Sequence, residues 1–148
     1  MTRKTLILLA ATGSAALLAG AFLFQFAGFA PCQMCLWQRW PHAAAVVIGV
    51  LALSFTRPPG WLAIAGMLAA LTTAGLAGWH TGVEQGWWQG PASCTGSGPL
   101  TGDLLSTEGP GIVLCNEVAL YIFGLSMAAW NAISSLGLAL IWAASLTR

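Results

Sequence analysis

Residues 5–30 read TLILLAATGSAALLAGAFLFQFAGFA, 26 consecutive positions without a charged side chain. About 20 apolar residues in a helix cross the hydrocarbon of a bilayer, so this run is long enough to span it. Arg3 and Lys4 stand just before it, and Leu18-Ala19-Gly20-Ala21 has the small-residue look of a cleavage site. The apolar stretch nevertheless continues through Phe22, Phe24, Phe26 and Phe29, beyond the ~7–15-residue core of a signal peptide. It reads as a first, uncleaved span.

Further apolar runs follow at about 40–56, 61–79 and 118–147. Arg57-Pro58-Pro59-Gly60 makes a tight turn between the second and third. The last is long enough for a tilted span or for a span with an interfacial lead-in. Barrel strands alternate apolar and polar residues and these runs do not, so the spans are helices. Composition agrees: of 148 residues 57% are hydrophobic and 6% charged, with a mean hydropathy of +0.79. A soluble domain carries roughly a quarter charged residues, and no water-facing surface can be assembled from so few. Net charge is +1 with no basic patch, which leaves nothing to hold nucleic acid. The expected fold is an all-α membrane protein, a four-transmembrane-helix bundle forming a single integral membrane domain over residues 1–148.

The connections are unequal. Residues 78–117 form a polar interval holding nine glycines, three prolines and two cysteines, and an unstructured loop of that length is usually functional or disordered. With four spans, Arg3, Lys4, Arg57 and Arg148 fall on one side, while Glu84, Asp103, Glu108 and Glu117 all lie in the long loop on the other. The positive-inside rule makes the basic side cytoplasmic. All four cysteines then face outward, towards a compartment where disulfides persist; in a bacterium this is the periplasm, and the membrane is the inner one.

Where the first run ends, the chain reads Pro31-Cys32-Gln33-Met34-Cys35, with Arg39 four residues on. Pro31 suits a helix start, which sets both sulfurs in the first turn. There the unpaired N–H groups and the positive helix end stabilise a thiolate. A low-pKa pair is stabilised when reduced, so its disulfide is oxidising. A mere staple is a poor reading, because a three-residue separation closes almost no loop entropy. A four-thiolate zinc site using Cys32, Cys35, Cys94 and Cys115 is the stronger rival, although such ligands usually come as two close pairs. Covalent haem is disfavoured because Leu36, not His, follows the second cysteine. Cys94 and Cys115 sit in a Gly/Ser/Thr setting, and two readings stand: a disulfide that closes the loop, or an exposed, mobile one that a partner thiolate attacks. No Lys or Arg in the loop activates either sulfur.

The order of these features is a basic start, a span, Pro-Cys-x-x-Cys with a nearby Arg, a short second loop, then a long outer loop with two more cysteines. It resembles the DsbB family of disulfide bond formation proteins. Gly82-Val83-Glu84-Gln85-Gly86-Trp87-Trp88, Ser93-Cys94-Thr95-Gly96 and Gly124-Leu125-Ser126-Met127-Ala128-Ala129-Trp130-Asn131 are similar to its proteobacterial branch. The resemblance implies a bundle carrying ubiquinone (or menaquinone). Electrons from a reduced, soluble, DsbA-like thiol oxidase would enter Cys94–Cys115, pass to Cys32–Cys35 and end on the quinone. Cys94 matches the cysteine that forms the mixed disulfide with the partner, and Cys35 the one that contacts quinone. A DsbA couple near about −120 mV also needs a sink beyond ordinary thiols.

Three further residues carry expectations. Arg39 lies at the membrane boundary, where an ionised group is costly; it either snorkels to headgroups or donates hydrogen bonds to a quinone oxygen. His80, at the outer end of the third span, either meets the quinone head, as in relatives, or faces headgroups. Glu84 would pair with His80 if the helix continues. Trp87 and Trp88 look like interfacial anchors. Pro41 implies either a short segment ending near Trp40 or a kinked span. The rival readings are a VKOR-like quinone-linked oxidoreductase, in which the Cys-x-x-Cys belongs late in the bundle, and a non-enzymatic membrane subunit.

Overall fold

The computed structural model describes residues 1–94 and 114–148, which form four helices and a small hairpin. α1 is Arg3–Phe26, α2 Gln33–Leu53, α3 Gly60–Glu84 and α4 Met127–Leu146; β1, Tyr121–Ile122, and β2, Leu125–Ser126, precede α4. α1, α3 and α4 are long and apolar enough to cross a membrane. α2 has comparable length, but Gln33, Gln38, Arg39 and His42 make its first half polar, and it packs among the other three as the fourth member of the bundle.

Several boundaries differ from the reading of the apolar runs. α2 begins at Gln33 rather than near Trp40, and Pro41 lies inside it without ending it; the helix gives up one backbone hydrogen bond there. The run at 118–147 is divided, with the hairpin as a lead-in and the helix starting only at Met127. Phe123 and Gly124 both take positive φ at the hairpin tip, which is what a two-residue turn between right-twisted strands requires. α3 continues through Glu84, so the long connection starts at residue 85. Asp103 and Glu108 of that connection lie outside the described residues.

The helices form a ring in chain order, closed by α4 packing on α1, and α1 barely touches α3 across it. Small residues set the approach of the backbones, as expected where lipid supplies no hydrophobic drive between helices. Gly49 sits against Ala11, and Gly66 sits against the Trp142 indole so closely that a Cβ on either glycine would overlap its neighbour. Val47, Val50, Leu68, Leu136 and Leu140 point outward and are exposed, a surface suited to acyl chains rather than water.

Basic residues fasten one end. Arg3 donates from Nε to the Ser145 carbonyl at 3.0 Å, from Nη1 to Pro58 at 3.2 Å and from Nη2 to Leu146 at 3.3 Å. Lys4 Nζ donates to the carbonyls of Leu53 and Phe55. Cations thus meet the negative C-terminal ends of α2 and α4. The cysteines gather at the opposite end.

Candidate functional site

Cys32 is the N-cap of α2: its sulfur accepts a hydrogen bond from the Cys35 N–H at 3.2 Å, the role usually filled by a Ser or Asp oxygen. Cys35 lies one turn on, and the two sulfurs are free thiols 2.7 Å apart. Both residues are therefore at a helix start, although Pro31 precedes the N-cap instead of taking the first helical position, so only Cys35 lies within the first turn. The Cys35 thiol, followed by the imidazole of His80, holds the Cys32 thiol well below its ordinary pKa, against an opposing push from burial. His80 Nε2 is 3.6 Å from the Cys32 sulfur, and Glu84 Oε1 is 3.8 Å from the same nitrogen, so the helical pairing expected of Glu84 is present.

Cys94 and Cys115 form a disulfide with Cα atoms 5.3 Å apart, and the Cys115 N–H donates to the Cys94 carbonyl at 2.6 Å. The expectation of an exposed disulfide needs correcting, since Cys94 is 2% and Cys115 0% accessible. The reason is packing: the pair joins Cys32, Met34 and Val83 in one buried cluster, with Cys35 and Trp37 at its margin. A four-thiolate metal site is not formed, because two of the four sulfurs are bonded to each other. Cys32, Cys35 and His80 do bring three ligand atoms within 4.8 Å of one another.

Beside this cluster lies a cavity of about 260 Å³ bounded by α1, α2, the end of α3, α4 and the segment before the hairpin. Cys35, Arg39 and His80 line it together with apolar residues such as Leu17, Phe24 and Trp130. Arg39 is tied to α1: Nη1 donates to Gln25 Oε1 at 2.8 Å, Nη2 to the Ala21 carbonyl at 3.4 Å, and the guanidinium stacks 4.7 Å over the Phe22 ring. Its Nε has no partner among the described residues, and neither do His42 Nδ1 and Glu84 Oε2; all three residues line the cavity. Buried polar atoms are rarely left unpaired, so the Arg39 Nε donor and the His42 ring nitrogen beside one apolar space suit an apolar molecule bearing oxygens.

Residues 3–145 match the family described as disulfide bond formation protein DsbB. The chain belongs to the DsbB family. It is 35% identical over 143 residues to the disulfide bond formation protein B of Azoarcus sp. (strain BH72), covering 87% of this chain and 83% of that one. It is 34% identical over 149 residues to the protein of the same name from Methylococcus capsulatus, covering 91% and 88%. No solved structure gives a significant match. As a DsbB-family member the chain is a membrane protein of disulfide-bond formation, and its two cysteine pairs stand together at one end of the bundle.

Four residues of this DsbB-family site escaped the reading of the sequence. Gln38, His42, Asn131 and Ser135 form a hydrogen-bonded file inside the bundle. Their signal was available: polar side chains inside apolar spans are costly and mark function by default. Trp88 Nε1 donates to the Trp79 carbonyl at 2.9 Å and its ring covers Gly82. Trp87 is 70% exposed.

Proposed function

We propose that this protein oxidises a soluble DsbA-like dithiol partner and delivers the electrons through its two cysteine pairs to ubiquinone. The observation that carries this reading is the shared burial of both cysteine pairs beside one apolar cavity. Docking of the partner uncovers the buried Cys94–Cys115 disulfide, a partner thiolate attacks it at Cys94 with Cys115 leaving as the thiolate, and the partner's second thiol resolves the mixed disulfide. The partner leaves oxidised, and Cys94 and Cys115 gain its two electrons and become thiols. Exchange with an oxidised Cys32–Cys35 pair restores the first disulfide and reduces the second. Ubiquinone, when bound, supplies a two-electron, two-proton acceptor. Cys35 and Arg39 would border the ring, Arg39 holding the wall against α1. The Nε2–H of His80 steadies negative charge on Cys32. In this reading, residues 1–148 act as one domain in a bacterial inner membrane, termini cytoplasmic and cysteines periplasmic, supported by the gathering of basic residues at the far end.

Anaerobic mixing of reduced DsbA with the purified protein and ubiquinone tests the reaction. One quinone should be consumed per partner dithiol, since both are two-electron couples. No consumption, or undiminished consumption by Cys35→Ala, would count against it. Sidedness is tested separately with a membrane-impermeant thiol reagent on intact spheroplasts after mild reduction. Labelling of Cys94 only after lysis would reverse the proposed orientation.

A further inference from the structure

The chain contains two histidines, and a single hydrogen-bonded file joins them. Gln38 Nε2 donates to His80 Nδ1 at 3.0 Å. Asn131 Nδ2 donates to Gln38 Oε1 at 2.7 Å. His42 Nε2 donates to Asn131 Oδ1 at 2.9 Å, and Ser135 Oγ donates to the same oxygen at 3.2 Å. The file therefore runs from α3 through α2 to α4 and back to α2.

With the amides oriented as they stand, their donors and acceptors set the tautomer of both imidazoles. Because an amide nitrogen donates to His80 Nδ1, the His80 proton is on Nε2, beside the Cys32 sulfur. Because Asn131 Oδ1 accepts, the His42 proton is also on Nε2. That leaves a lone pair on His42 Nδ1, which is buried and has no partner among the described residues, on a side chain that is 4% accessible in the cavity wall. The opposite polarity satisfies the file equally well. If both amides turn over and the Ser135 hydroxyl rotates to accept, both histidines carry the proton on Nδ1. His80 then accepts from a Cys32 thiol, and His42 presents a donor to the cavity.

We infer that His42 is the residue that meets a ring oxygen in the cavity, and that Gln38 and Asn131 set its hydrogen-bond polarity from the protonation of Cys32. The inference rests on reading the cavity as the quinone site. A thiolate at Cys32 goes with an acceptor at His42, suited to the hydroxyl of a hydroquinone. A thiol goes with a donor, suited to a quinone carbonyl. The overall reaction still moves two electrons and two protons from the dithiol to the quinone, and the file passes polarity rather than a net proton. Coupling of this kind is reciprocal, so quinone binding turns His80 as well. Helix-to-helix adhesion accounts for Gln38 and Asn131, but it does not account for an unpartnered imidazole nitrogen at the cavity.

The test uses ¹⁵N-histidine NMR on the full-length Cys35→Ser protein, which keeps Cys32 but cannot complete turnover, with decylubiquinone as the probe. Without quinone both histidines should show the Nε2–H form; saturating quinone should convert both to Nδ1–H. In Asn131→Leu only His42 should respond. His42→Gln keeps a donor for Asn131 but has no atom at the Nδ1 position, so binding followed by tryptophan quenching should weaken roughly three- to tenfold. His42→Asn restores an atom there and should recover the binding. Unresponsive histidines in a protein that binds quinone, or unchanged binding by His42→Gln, would overturn the inference. Absence of binding in every version, the parent included, would instead overturn the reading of the cavity itself.

Discussion

The Cys32 sulfur and His80 Nε2 lie 3.6 Å apart across the seam between α2 and α3, although 48 positions separate them in the chain. A donor there favours the thiolate, and together with the Cys35 thiol it keeps the Cys32 pKa low. The sign follows directly. A depressed thiol pKa stabilises the reduced fold fully above the ordinary thiol pKa, and that stability is lost as pH falls through the lowered value. The Cys32–Cys35 potential should therefore fall by about 30 mV per pH unit above the lowered pKa and by about 60 mV below it. His80→Ala should shift the break to higher pH and make the pair less oxidising near neutrality. Redox titration against glutathione across pH measures both, and an unmoved break would show that His80 does not act on Cys32.

Cys115→Ala removes the sulfur that competes for Cys94. Mixed with oxidised DsbA, whose disulfide the Cys94 thiolate attacks with one DsbA thiol leaving, this variant should accumulate a Cys94–DsbA mixed disulfide on non-reducing gels. Equal trapping by the Cys94→Ala protein would reverse the assignment of the two sulfurs.

Arg39 makes two hydrogen bonds and a ring contact to α1, and a lysine can keep only part of that set. Arg39→Lys should insert normally, lose about 1 kcal/mol of stability and bind quinone several-fold more weakly, with exchange between Cys94–Cys115 and DsbA nearly intact. Gln25→Ala should reproduce part of the quinone effect by freeing Nη1. Wild-type quinone affinity in both variants would leave Arg39 as a strut between helices.

Gly66 faces the fully buried Trp142 indole, whereas nothing lies within 4 Å of a Cβ built at Gly75. Gly66→Ala should cost about 1–3 kcal/mol by overpacking, and Gly75→Ala should be neutral or mildly stabilising through helix propensity. Reversible unfolding in mixed micelles distinguishes them. Equal stabilities would mean that the α3–α4 seam can yield around Trp142.

The bundle was legible because lipid imposes a simple code, and charge-free runs such as residues 5–30 could be nothing else. The start of α2 was obscured because Gln38, Arg39 and His42 interrupt its apolar residues; Gln38 and His42 are buried in the bundle, so hydropathy failed to register a helix that Cys32 caps. Both readings of Cys94 and Cys115 were of a disulfide, but its burial was hidden, since the residues that cover it, Val83 and Met34, come from α3 and α2. Asn131 was quoted for its likeness to a family pattern, and its chemistry emerges only when α4 sets it between Gln38 and His42.

Arg3 bonds to the carbonyls of Ser145 and Leu146, 142 and 143 positions away. A chain emerges from the ribosome amino end first, so Arg3 is made long before the carbonyls it binds. Until α4 is threaded, the ring stands open along α1, and the cavity lacks the wall that Trp130 and Asn131 provide. The ring of this bundle can therefore close only after α4 has been made, when Arg3 finds the carbonyls that hold the two helices together.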